Sequence, residues 1–446
     1  MAYDIIIGRT ENDKKKFGDK GAIFLGRHYV KMGQTTSLSN NIMMDVIRAH
    51  VVLVSGKRGS GKSFSLGVIA EEMSSLPKEV SQNLSIIMFD TMGIFWTMKY
   101  PNKKEIDLLE KWKLHSKKLE TIDVYIPEGF FEEYKQKGIL ADYPFSIRTS
   151  ELNAGDWANI FNINLMEPIG IIIEKITSSL QERKLSYDID DIIREIEKDK
   201  TSEKNTKDAA INLFSASKSW GLFKKKGTLI RDIVKRGRVS IIDTSCYSHI
   251  SSAWSIKSLV TGLVSKKLMM DRITARKVEE LKNIKSEGSL FGYDKEEKTK
   301  EEMPLVWIFI DEAHEFLPRE GKTAASDALI QLLREGRQPG ISMILATQQP
   351  GEIHRDVITQ SDIVISHRVT ARKDIEALNG IMQTYVLSDI QKYLNNLPKV
   401  KGSAIILDDN SEKIYPMQIR PRFTWHGGEA PVAYHPKKQE LLDLGL

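Results

Sequence analysis

The segment "VVLVSGKRGSGKS", which runs from Val51 to Ser63, is the feature that most constrains how this chain can fold. Its apolar first half predicts a buried strand, and the glycine-rich second half opens a helix predicted over about residues 62 to 75. Glycines let successive backbone N–H groups curve around an anion, and the helix amino terminus adds the positive end of its dipole. The alternative is a glycine-rich turn that matches by chance, but every fixed position of the pattern is present here behind a strand. The sequence therefore predicts a phosphate-binding P-loop.

The residues of this loop have distinct expected roles in binding a nucleoside triphosphate. Lys62 is expected to reach the β- and γ-phosphates, and Ser63 is expected to hold Mg²⁺. The residues predicted to surround the nucleotide are those of the loop and of the helix start, namely Gly56, Gly59, Ser60, Gly61, Lys62, Ser63 and Phe64. A nucleoside triphosphate and Mg²⁺ are thus the expected cofactors.

Two adjacent carboxylates end the apolar strand predicted from "LVWIFID". Asp311 is suited to the outer shell of Mg²⁺, and Glu312 is suited to polarising an attacking water molecule, as phosphoryl transfer requires. The alternative is an acidic strand end that caps the next helix. Asp90 and Asp243 end two other predicted strands, and for these two residues the structural, capping interpretation is favoured.

Polar residues lie at both ends of another predicted strand, "SMILAT" at 342–347. In a one-domain motor, the strand between the P-loop strand and the carboxylate strand can carry a γ-phosphate sensor at its end, and Gln348 fits that position. A strand of this length spans about 20 Å, so Arg337, before its start, is not expected to reach the same nucleotide. Arg337 is instead expected to act as an arginine finger on a neighbouring subunit's site. The alternative is a surface arginine in a basic turn with Arg334.

Apolar strands separated by helices predict an α/β architecture with a mostly parallel central sheet. Residues 285–302 lack periodicity and are highly charged, which predicts an exposed loop. The core strands are predicted at 51–55, 85–90, 238–245, 305–311, 342–347 and 403–408. The predicted units are a small N-terminal β extension at 1–50, an ATPase core at 51–93 and 231–410, a mostly helical insertion at 94–230, and a C-terminal tail at 411–446.

Composition limits the class of protein. The chain has 446 residues with 65 basic and 60 acidic side chains, a net charge of +5, so any surface for a polyanion must be a local patch. Cys246 is the single cysteine, which excludes an internal disulfide and fits a reducing cytosol. The polar start does not resemble a signal peptide, and Glu174 and Lys175 interrupt the most apolar run. A cytoplasmic protein without a membrane segment is expected.

Five segments together resemble the HerA family, in the HerA/FtsK superfamily of hexameric DNA pumps. They are "VVLVSGKRGSGKSFSLGVIAEEM", "IFIDEAHEFLP", "REGRQPGISMILATQQP", "SHRVTARKDIEAL" and "RPRFTWHGG". The resemblance extends over about residues 22 to 431. The resemblance implies a RecA-like P-loop core that binds ATP with Mg²⁺ and assembles as a homo-hexamer. It also implies family roles for the matching residues: Lys62 and Ser63 of Walker A, Asp311 and Glu312 of Walker B, the sensor Gln348 and the trans-acting Arg337.

The sequence departs from the family pattern at three places. Before Walker A the family often has an arginine or histidine; here His50 stands at that spacing, and Arg48 lies two residues earlier. The turn "QPG" replaces a basic-aromatic pair before glycine. Archaeal members open with a β-barrel that is longer than the 50 residues available here, which puts the usual docking with a nuclease in doubt. The C-terminal tail is expected to brace a neighbouring subunit.

The resemblance implies an ATP-driven translocase or helicase for double-stranded DNA, working with a nuclease or another effector in DNA end processing or phage defence. Arg319 and Lys322, just after the Walker B strand, are the favoured DNA contacts, with "KKK" at 224–226 as another candidate. A solvated charged loop is the alternative for each. The rival function is an ATP-gated ring scaffold that switches an effector without moving DNA. A conjugation or packaging motor ranks lower, because coupling proteins of that type usually carry a membrane anchor.

Overall fold

The computed structural model describes residues 4–32, 35–183, 186–250, 252–288, 302–381 and 390–429. Its strands are β1 (Ile5–Ile7), β2 (Ala22–Met32), β3 (Thr35–Asp45), β4 (Val51–Ser55), β5 (Leu84–Asp90), β6 (Ile122–Pro127), β7 (Tyr143–Phe145), β8 (Ile147–Arg148), β9 (Phe223–Lys224), β10 (Val239–Asp243), β11 (Leu305–Ile310), β12 (Ile341–Thr347), β13 (Ile363–His367), β14 (Ser403–Asp408) and β15 (Lys413–Ile419). Its α-helices are α1 (Glu11–Phe17), α2 (Lys62–Ser74), α3 (Lys78–Ser81), α4 (Ile106–Lys111), α5 (Glu128–Gln136), α6 (Ala154–Phe161), α7 (Pro168–Glu182), α8 (Ile189–Lys198), α9 (Lys204–Lys218), α10 (Ile230–Ile233), α11 (Ala253–Gly288), α12 (Ser326–Glu335), α13 (Arg355–Gln360), α14 (Arg372–Ile381) and α15 (Ile390–Asn396).

Most of the strands form one large sheet. Their order is β1-β3-β2-β15-β14-β13-β4-β12-β11-β5-β10-β6-β7, and β8 pairs with β9 separately. From β13 to β7 every neighbouring pair is parallel, whereas β13 to β14, β14 to β15, β15 to β2 and β2 to β3 are antiparallel. The predicted α/β class with a mostly parallel sheet is confirmed.

The central strands are mostly apolar and are buried along nearly their whole length, as expected where helices cover both faces of a sheet. Leu53 and Ile308 belong to the core on one face, and Val54 and Phe309 belong to the core on the other. These side chains are at most 1% exposed, as expected for strands that alternate between two buried layers. This packing fixes the register of β4, β12 and β11, and therefore fixes where their ends lie.

The strand order places β12 between the P-loop strand β4 and the carboxylate strand β11, which is the position that the predicted sensor role of Gln348 requires. Since these strands are parallel, their carboxyl ends meet at one edge of the sheet. Ser55, Ile310 and Thr347 are the last residues of the three strands. Their amino ends, including the turn before β12, lie at the opposite edge.

The segment 94–230 differs from the predicted helical insertion. Much of it is helical, but β6 pairs with β10 inside the main sheet and β7 extends the sheet beyond β6. Sequence reasoning also missed β13, which lies next to β4. Both β6 and β13 are fully buried runs of five or six residues, and periodicity alone cannot tell such a run from a buried piece of helix.

The two ends of the described chain join the same sheet. β15 pairs with β14 and with β2, and β1 and β3 continue the sheet beyond β2. Residues 413–419 of the predicted tail form a strand of their own chain, and the expectation that 411–446 braces a neighbouring subunit stays a prediction. Residues 430–446 lie outside the described residues.

Two further predictions concern the charged loop and membrane-spanning helices. The loop predicted at 285–302 begins as the end of α11, which continues to Gly288, and 289–301 lie outside the described residues. Among the helices that the structure describes, none combines the length and the apolar character needed to cross a membrane.

Candidate nucleotide-binding and catalytic site

The loop between β4 and α2 has the backbone that a phosphate cradle needs. Gly59 has φ 74° and Gly61, the residue before α2, has φ 114°, a region that favours glycine. The helix follows directly, so its first N–H groups point at the loop. The sequence folds this way because only glycines adopt these angles without strain between a buried strand and a helix.

Lys62 and Ser63 begin the helix beneath this loop. Lys62 is buried, and its Nζ donates to the Lys57 carbonyl at 3.4 Å. Burial lowers the pKa of Lys62, against the opposing effect of the charges on Glu312 and Asp311. The Ser63 hydroxyl donates to Oδ2 of Asp311 at 2.6 Å. The two Walker A side chains therefore lie next to the carboxylates that follow β11.

Asp311 is the first residue after β11 and is almost fully buried. Burial raises the pKa of its carboxyl, and the neighbouring charge of Glu312 acts in the same direction, while the hydrogen bond from Ser63 opposes both. A hydroxyl and a carboxylate paired in this way are hard oxygen donors. Mg²⁺ prefers such donors and is usually held by one or two carboxylates together with phosphate oxygens. Ser63 and Asp311 thus fit the predicted metal site.

Glu312 has an unusual environment. Its φ of 53° places it in the left-handed region, which is uncommon outside glycine and is often found at functional sites. Oε1 accepts a hydrogen bond from Nε2 of Gln348. Oε2 is buried and has no hydrogen-bond partner among the described residues. A buried carboxylate oxygen left free beside a phosphate cradle is suited to accept a proton from an attacking water molecule.

Gln348 directly follows β12, so the sensor residue and the predicted base are joined across neighbouring strands. Thr347, the last residue of β12, lies 3.2 Å from Nδ1 of His314 through its hydroxyl. The structure therefore brings five predicted site residues to one edge of the sheet: Lys62, Ser63, Asp311, Glu312 and Gln348.

Sequence reasoning missed two histidines beside the loop. His367, at the end of β13, is buried, and its Nε2 lies 2.9 Å from the hydroxyl of Ser65. Burial lowers the pKa of His367 to about 4, so its ring is neutral at physiological pH. The ring of His426 packs edge-on against Phe64, with 5.4 Å between centroids. "SHRV" and "TWHGG" carried these residues, but only the pairing of β13 with β4 and the fold of the C-terminal segment reveal their position.

Asp90 and Asp243 end neighbouring strands and act as local caps. Asp90 accepts hydrogen bonds from the backbone N–H groups of Met92, Gly93 and Phe95, and Asp243 accepts one from Ser245. Burial and the charge of Asp243 raise the pKa of Asp90 to about 7. These contacts agree with the structural interpretation favoured from the sequence.

The predicted DNA contacts already have partners within the chain. Arg319 donates to the Gly351 carbonyl at 3.2 Å, and Lys322 pairs with Asp327 at 2.8 Å. Both members of the Lys322 pair are largely exposed, so the pair is weak and can exchange for another anion. In the alternative cluster, Lys225 pairs with Asp191 at 2.9 Å.

Arg337 lies at the other edge of the sheet, before the start of β12 and away from Gln348. It is exposed, and in the described part of the chain its guanidinium makes no hydrogen bond or ion pair. Arg334, three residues earlier, pairs instead with Asp356 at 2.6 Å. Arg337 lines a cavity of about 560 Å³ together with Arg48, His50, Arg272 and Arg276. The two basic residues that depart from the family pattern therefore lie at this edge.

Comparisons with known proteins place this geometry in a family. A family model described as helicase HerA, central domain, matches residues 24–267, more than half of the chain. A second model, described as zonular occludens toxin (Zot), matches residues 255–421.

The individual curated relatives match this chain over only part of their own length. A probable DNA double-strand break repair helicase HerA of Methanocaldococcus jannaschii is 27% identical over 188 residues, 40% of this chain and 33% of the relative. The DNA double-strand break repair helicase HerA of Sulfurisphaera tokodaii is 22% identical over 327 residues, 72% of this chain and 54% of the relative. The chain thus spans about a third to a half of these curated relatives.

The fold is shared with a solved structure of a different kind of protein. VirB4 of Thermoanaerobacter pseudethanolicus superposes with a TM-score of 0.53 at 12% identity, covering 90% of this chain and 97% of that one. At this identity the likeness concerns the fold alone, and it agrees with the predicted P-loop core. The match of the central-domain model over more than half of the sequence shows that the chain belongs to the HerA family of ATPases.

Proposed function

We propose that this protein hydrolyses ATP in a homo-hexameric ring in order to translocate double-stranded DNA. The observation that supports the proposal is that the predicted catalytic residues lie in two groups at opposite edges of one sheet. Lys62, Glu312 and Gln348 lie at the carboxyl edge, and the exposed Arg337, without a side-chain partner in the described chain, lies at the amino edge. Subunits arranged head to tail would bring the two halves together, and such contacts close into rings.

Within one subunit, the residues divide the hydrolytic step. Lys62 and the loop N–H groups bind the phosphates of ATP, and Ser63 and Asp311 would hold Mg²⁺, which neutralises charge on the phosphates when bound. Glu312 takes the proton of the attacking water through Oε2, while Gln348 holds Oε1. Arg337 of the neighbouring subunit adds positive charge where negative charge develops.

The segment after Gln348 offers a physical link from the nucleotide to DNA. Arg319 donates from its backbone N–H to the Glu352 carbonyl at 2.8 Å and from its side chain to the Gly351 carbonyl. Pro318 and Ile353 form an isolated β-bridge. The loop 318–322 is thus fastened to the chain that leaves the sensor, so a shift of Gln348 on hydrolysis would move the loop. We assign Arg319 and Lys322 to contacts with the phosphates of duplex DNA.

The biological setting is proposed from the relatives' names. Proteins named DNA double-strand break repair helicases are similar to this chain over part of their length. We propose that this protein works with a nuclease or another effector in DNA end processing or phage defence, in the cytoplasm, and the similarity to these named repair helicases supports the part of the proposal that concerns DNA ends.

A second function, a ring scaffold that uses ATP to switch an effector, is favoured by one observation. The two side chains assigned to DNA already have partners within the chain, since Lys322 pairs with Asp327 and Arg319 donates to the Gly351 carbonyl. Displacing such pairs reduces the net gain from binding a phosphate. A scaffold of this kind would not need side chains that bind DNA.

Displacement of a third strand from linear duplex DNA separates the two functions. A translocase should displace the strand in an ATP-dependent manner, and the Arg319→Ala, Lys322→Ala double variant should lose displacement and DNA-stimulated turnover. The Lys224→Ala, Lys225→Ala variant is the matched control and should retain both. Strand displacement that is absent in the wild type, with normal turnover, would support the scaffold.

A further inference from the structure

We propose that Arg272 is a positioning residue for Arg337, holding the turn that presents Arg337 to the neighbouring subunit. This inference rests on the trans role of Arg337 proposed above. Arg272 would act on hydrolysis in the adjacent site without touching the nucleotide, because its contacts are with two backbone carbonyls and with Glu279 of its own chain.

The guanidinium of Arg272 joins three parts of the fold. Arg272 lies on the long helix α11 and is fully buried. Its Nε donates to the Pro339 carbonyl at 2.8 Å, two residues after Arg337. Its Nη1 donates to the Met303 carbonyl at 2.7 Å, two residues before β11 begins. One planar group therefore fixes the turn that carries Arg337 against both α11 and the start of the Walker B strand, β11.

The turn itself has little freedom to move away from these contacts. Pro339 has a restricted backbone, and Gly340 has φ 81°. A Cβ at Gly340 would overlap the side chain of Leu305 and lie 3.3 Å from Nη2 of Arg272. The N–H of Ile341 donates to the Gly336 carbonyl at 2.8 Å, which closes the turn around Arg337. The backbone that carries Arg337 is thus held tightly, although the Arg337 side chain is exposed.

The energetics of Arg272 suggest a role beyond stability. A buried cation is costly unless all of its donors are paired, and an apolar side chain in its place is often as stable. Arg272 is paired with Glu279 at 3.0 Å and with two carbonyls, but its Nη2 is buried without an acceptor among the described residues. An incompletely paired buried arginine is poorly explained as a stabilising device. The fixed fork that it presents to two carbonyls is better explained by positioning.

Arg276 provides a matched control. It lies one helical turn further along α11 and lines the same cavity as Arg337. Its guanidinium pairs with Glu279 at 3.3 Å and with Glu280. Replacing Arg276 removes a positive charge from the cavity and leaves the hydrogen bonds to Pro339 and Met303 in place.

Steady-state ATPase measurements on the full chain test the positioning role. Arg272→Met should lower kcat about 100-fold, the loss associated with displacing a catalytic group by roughly 1 Å, with KM within about twofold of the wild type. Arg272→Lys keeps the charge without the fork and should be impaired in the same direction, and it carries the test if Arg272→Met does not fold. Arg276→Met should retain near-normal kcat.

Mixed rings then distinguish an effect in trans from damage to the variant's own site. Lys62→Ala subunits cannot use their own nucleotide but keep an intact Arg337. If Arg272 acts through Arg337, mixing an Arg272 variant with Lys62→Ala should restore turnover severalfold above the sum of the separate proteins. A mixture of Arg337→Ala with Lys62→Ala should recover in the same way.

The outcomes separate this inference from the function on which it rests. Recovery in both mixtures supports both. Recovery with Arg337→Ala but not with Arg272→Lys would leave the trans finger standing and overturn the positioning role, since Arg272 would then act on its own site through β11. Failure of the Arg337→Ala mixture to recover would overturn the trans finger and the inference with it.

Discussion

The backbone at Glu312 and the two oxygens of its carboxylate are the clearest signs of function at the scale of single residues. A left-handed φ and a buried oxygen without a hydrogen-bond partner in the described chain both cost free energy, and Nδ1 of His314 lies 3.7 Å from that oxygen. Gln348 holds the other oxygen and so fixes the direction in which the free oxygen points. A structural cap would satisfy its oxygens locally, as Asp90 does with three backbone N–H groups.

Glu312→Gln should separate ATP binding from ATP hydrolysis. The amide cannot accept a proton from water, so turnover should fall about 100- to 10,000-fold, the range expected for loss of a general base. Binding of a fluorescent ATP analogue should persist, because Lys62 and the loop remain. Glu315→Gln, at a neighbouring and more exposed carboxylate, is the control and should keep its turnover. Near-normal hydrolysis by Glu312→Gln would show that another group is the base.

His50 should make stability depend on pH in the alkaline range. Burial opposes a charge on its ring, but hydrogen bonds to Asp362 at 2.6 Å and to Asp45 at 3.1 Å outweigh that effect and raise its pKa to about 9. A raised pKa stabilises the folded protein fully below the unfolded value of about 6.5, and this contribution disappears as pH rises through about 9. It amounts to roughly 3 kcal/mol at about 1.4 kcal/mol per pKa unit.

Denaturant unfolding at several pH values checks this prediction. The free energy of unfolding of the wild type should exceed that of His50→Gln most below pH ~6.5, and the difference should shrink as the pH rises to about 10. His115→Gln removes an exposed histidine and should leave the wild-type pH dependence unchanged. A difference between wild type and His50→Gln that stays constant over this range would contradict the charged His50.

At the scale of elements, the segment after β15 is anchored to the P-loop helix. Glu71 of α2 is fully buried and accepts hydrogen bonds from Arg420 at 3.1 Å and from Arg422 at 3.0 Å. It also accepts from the backbone N–H groups of Phe423 and Thr424, each at 3.1 Å. One carboxylate therefore holds the C-terminal segment, including His426, against the helix that begins with Lys62.

Glu71→Ala should destabilise the protein strongly. It would leave the buried guanidinium of Arg422 without its carboxylate partner, a change that typically costs about 3–5 kcal/mol, while Arg420 would keep its pair with Glu72 at 3.0 Å. Glu79→Ala breaks an exposed pair with Lys20 and should cost less than about 1 kcal/mol. Chemical unfolding of both variants measures the contrast, and equal effects would show that the buried cluster adds little to stability.

The sequence predicted those elements whose signal is local. Apolar runs that end at polar residues predicted five of the strands, namely β4, β5, β11, β12 and β14. The motifs that follow β4 and β11 predicted the nucleotide site. β6, β13 and β15 were missed because their place depends on pairing with strands distant in sequence. For the same reason, the sequence could suggest Gln348 but not its hydrogen bond to Glu312, and it gave no sign that "RPRF" would bind Glu71.

At the scale of the whole molecule, the sheet separates two functional edges. Its carboxyl edge carries the P-loop, the carboxylates and the sensor, and its amino edge carries a basic cavity with Arg337. The strands are about 20 Å long, so residues at the two opposite edges of the sheet in one chain cannot contact the same nucleotide. In the proposed ring of identical chains, both edges would contribute to the same reaction.

The most direct test measures native mass with ATP together with ATPase rates, with and without linear duplex DNA. Wild type, Arg337→Ala and the control Arg334→Ala would be compared, since Arg334 lies in the same turn but pairs with Asp356. We expect a hexamer in all three, with DNA-stimulated turnover lost in Arg337→Ala alone while ATP binding remains. A monomeric wild type with full turnover, or an Arg337→Ala protein as active as Arg334→Ala, would contradict the shared site.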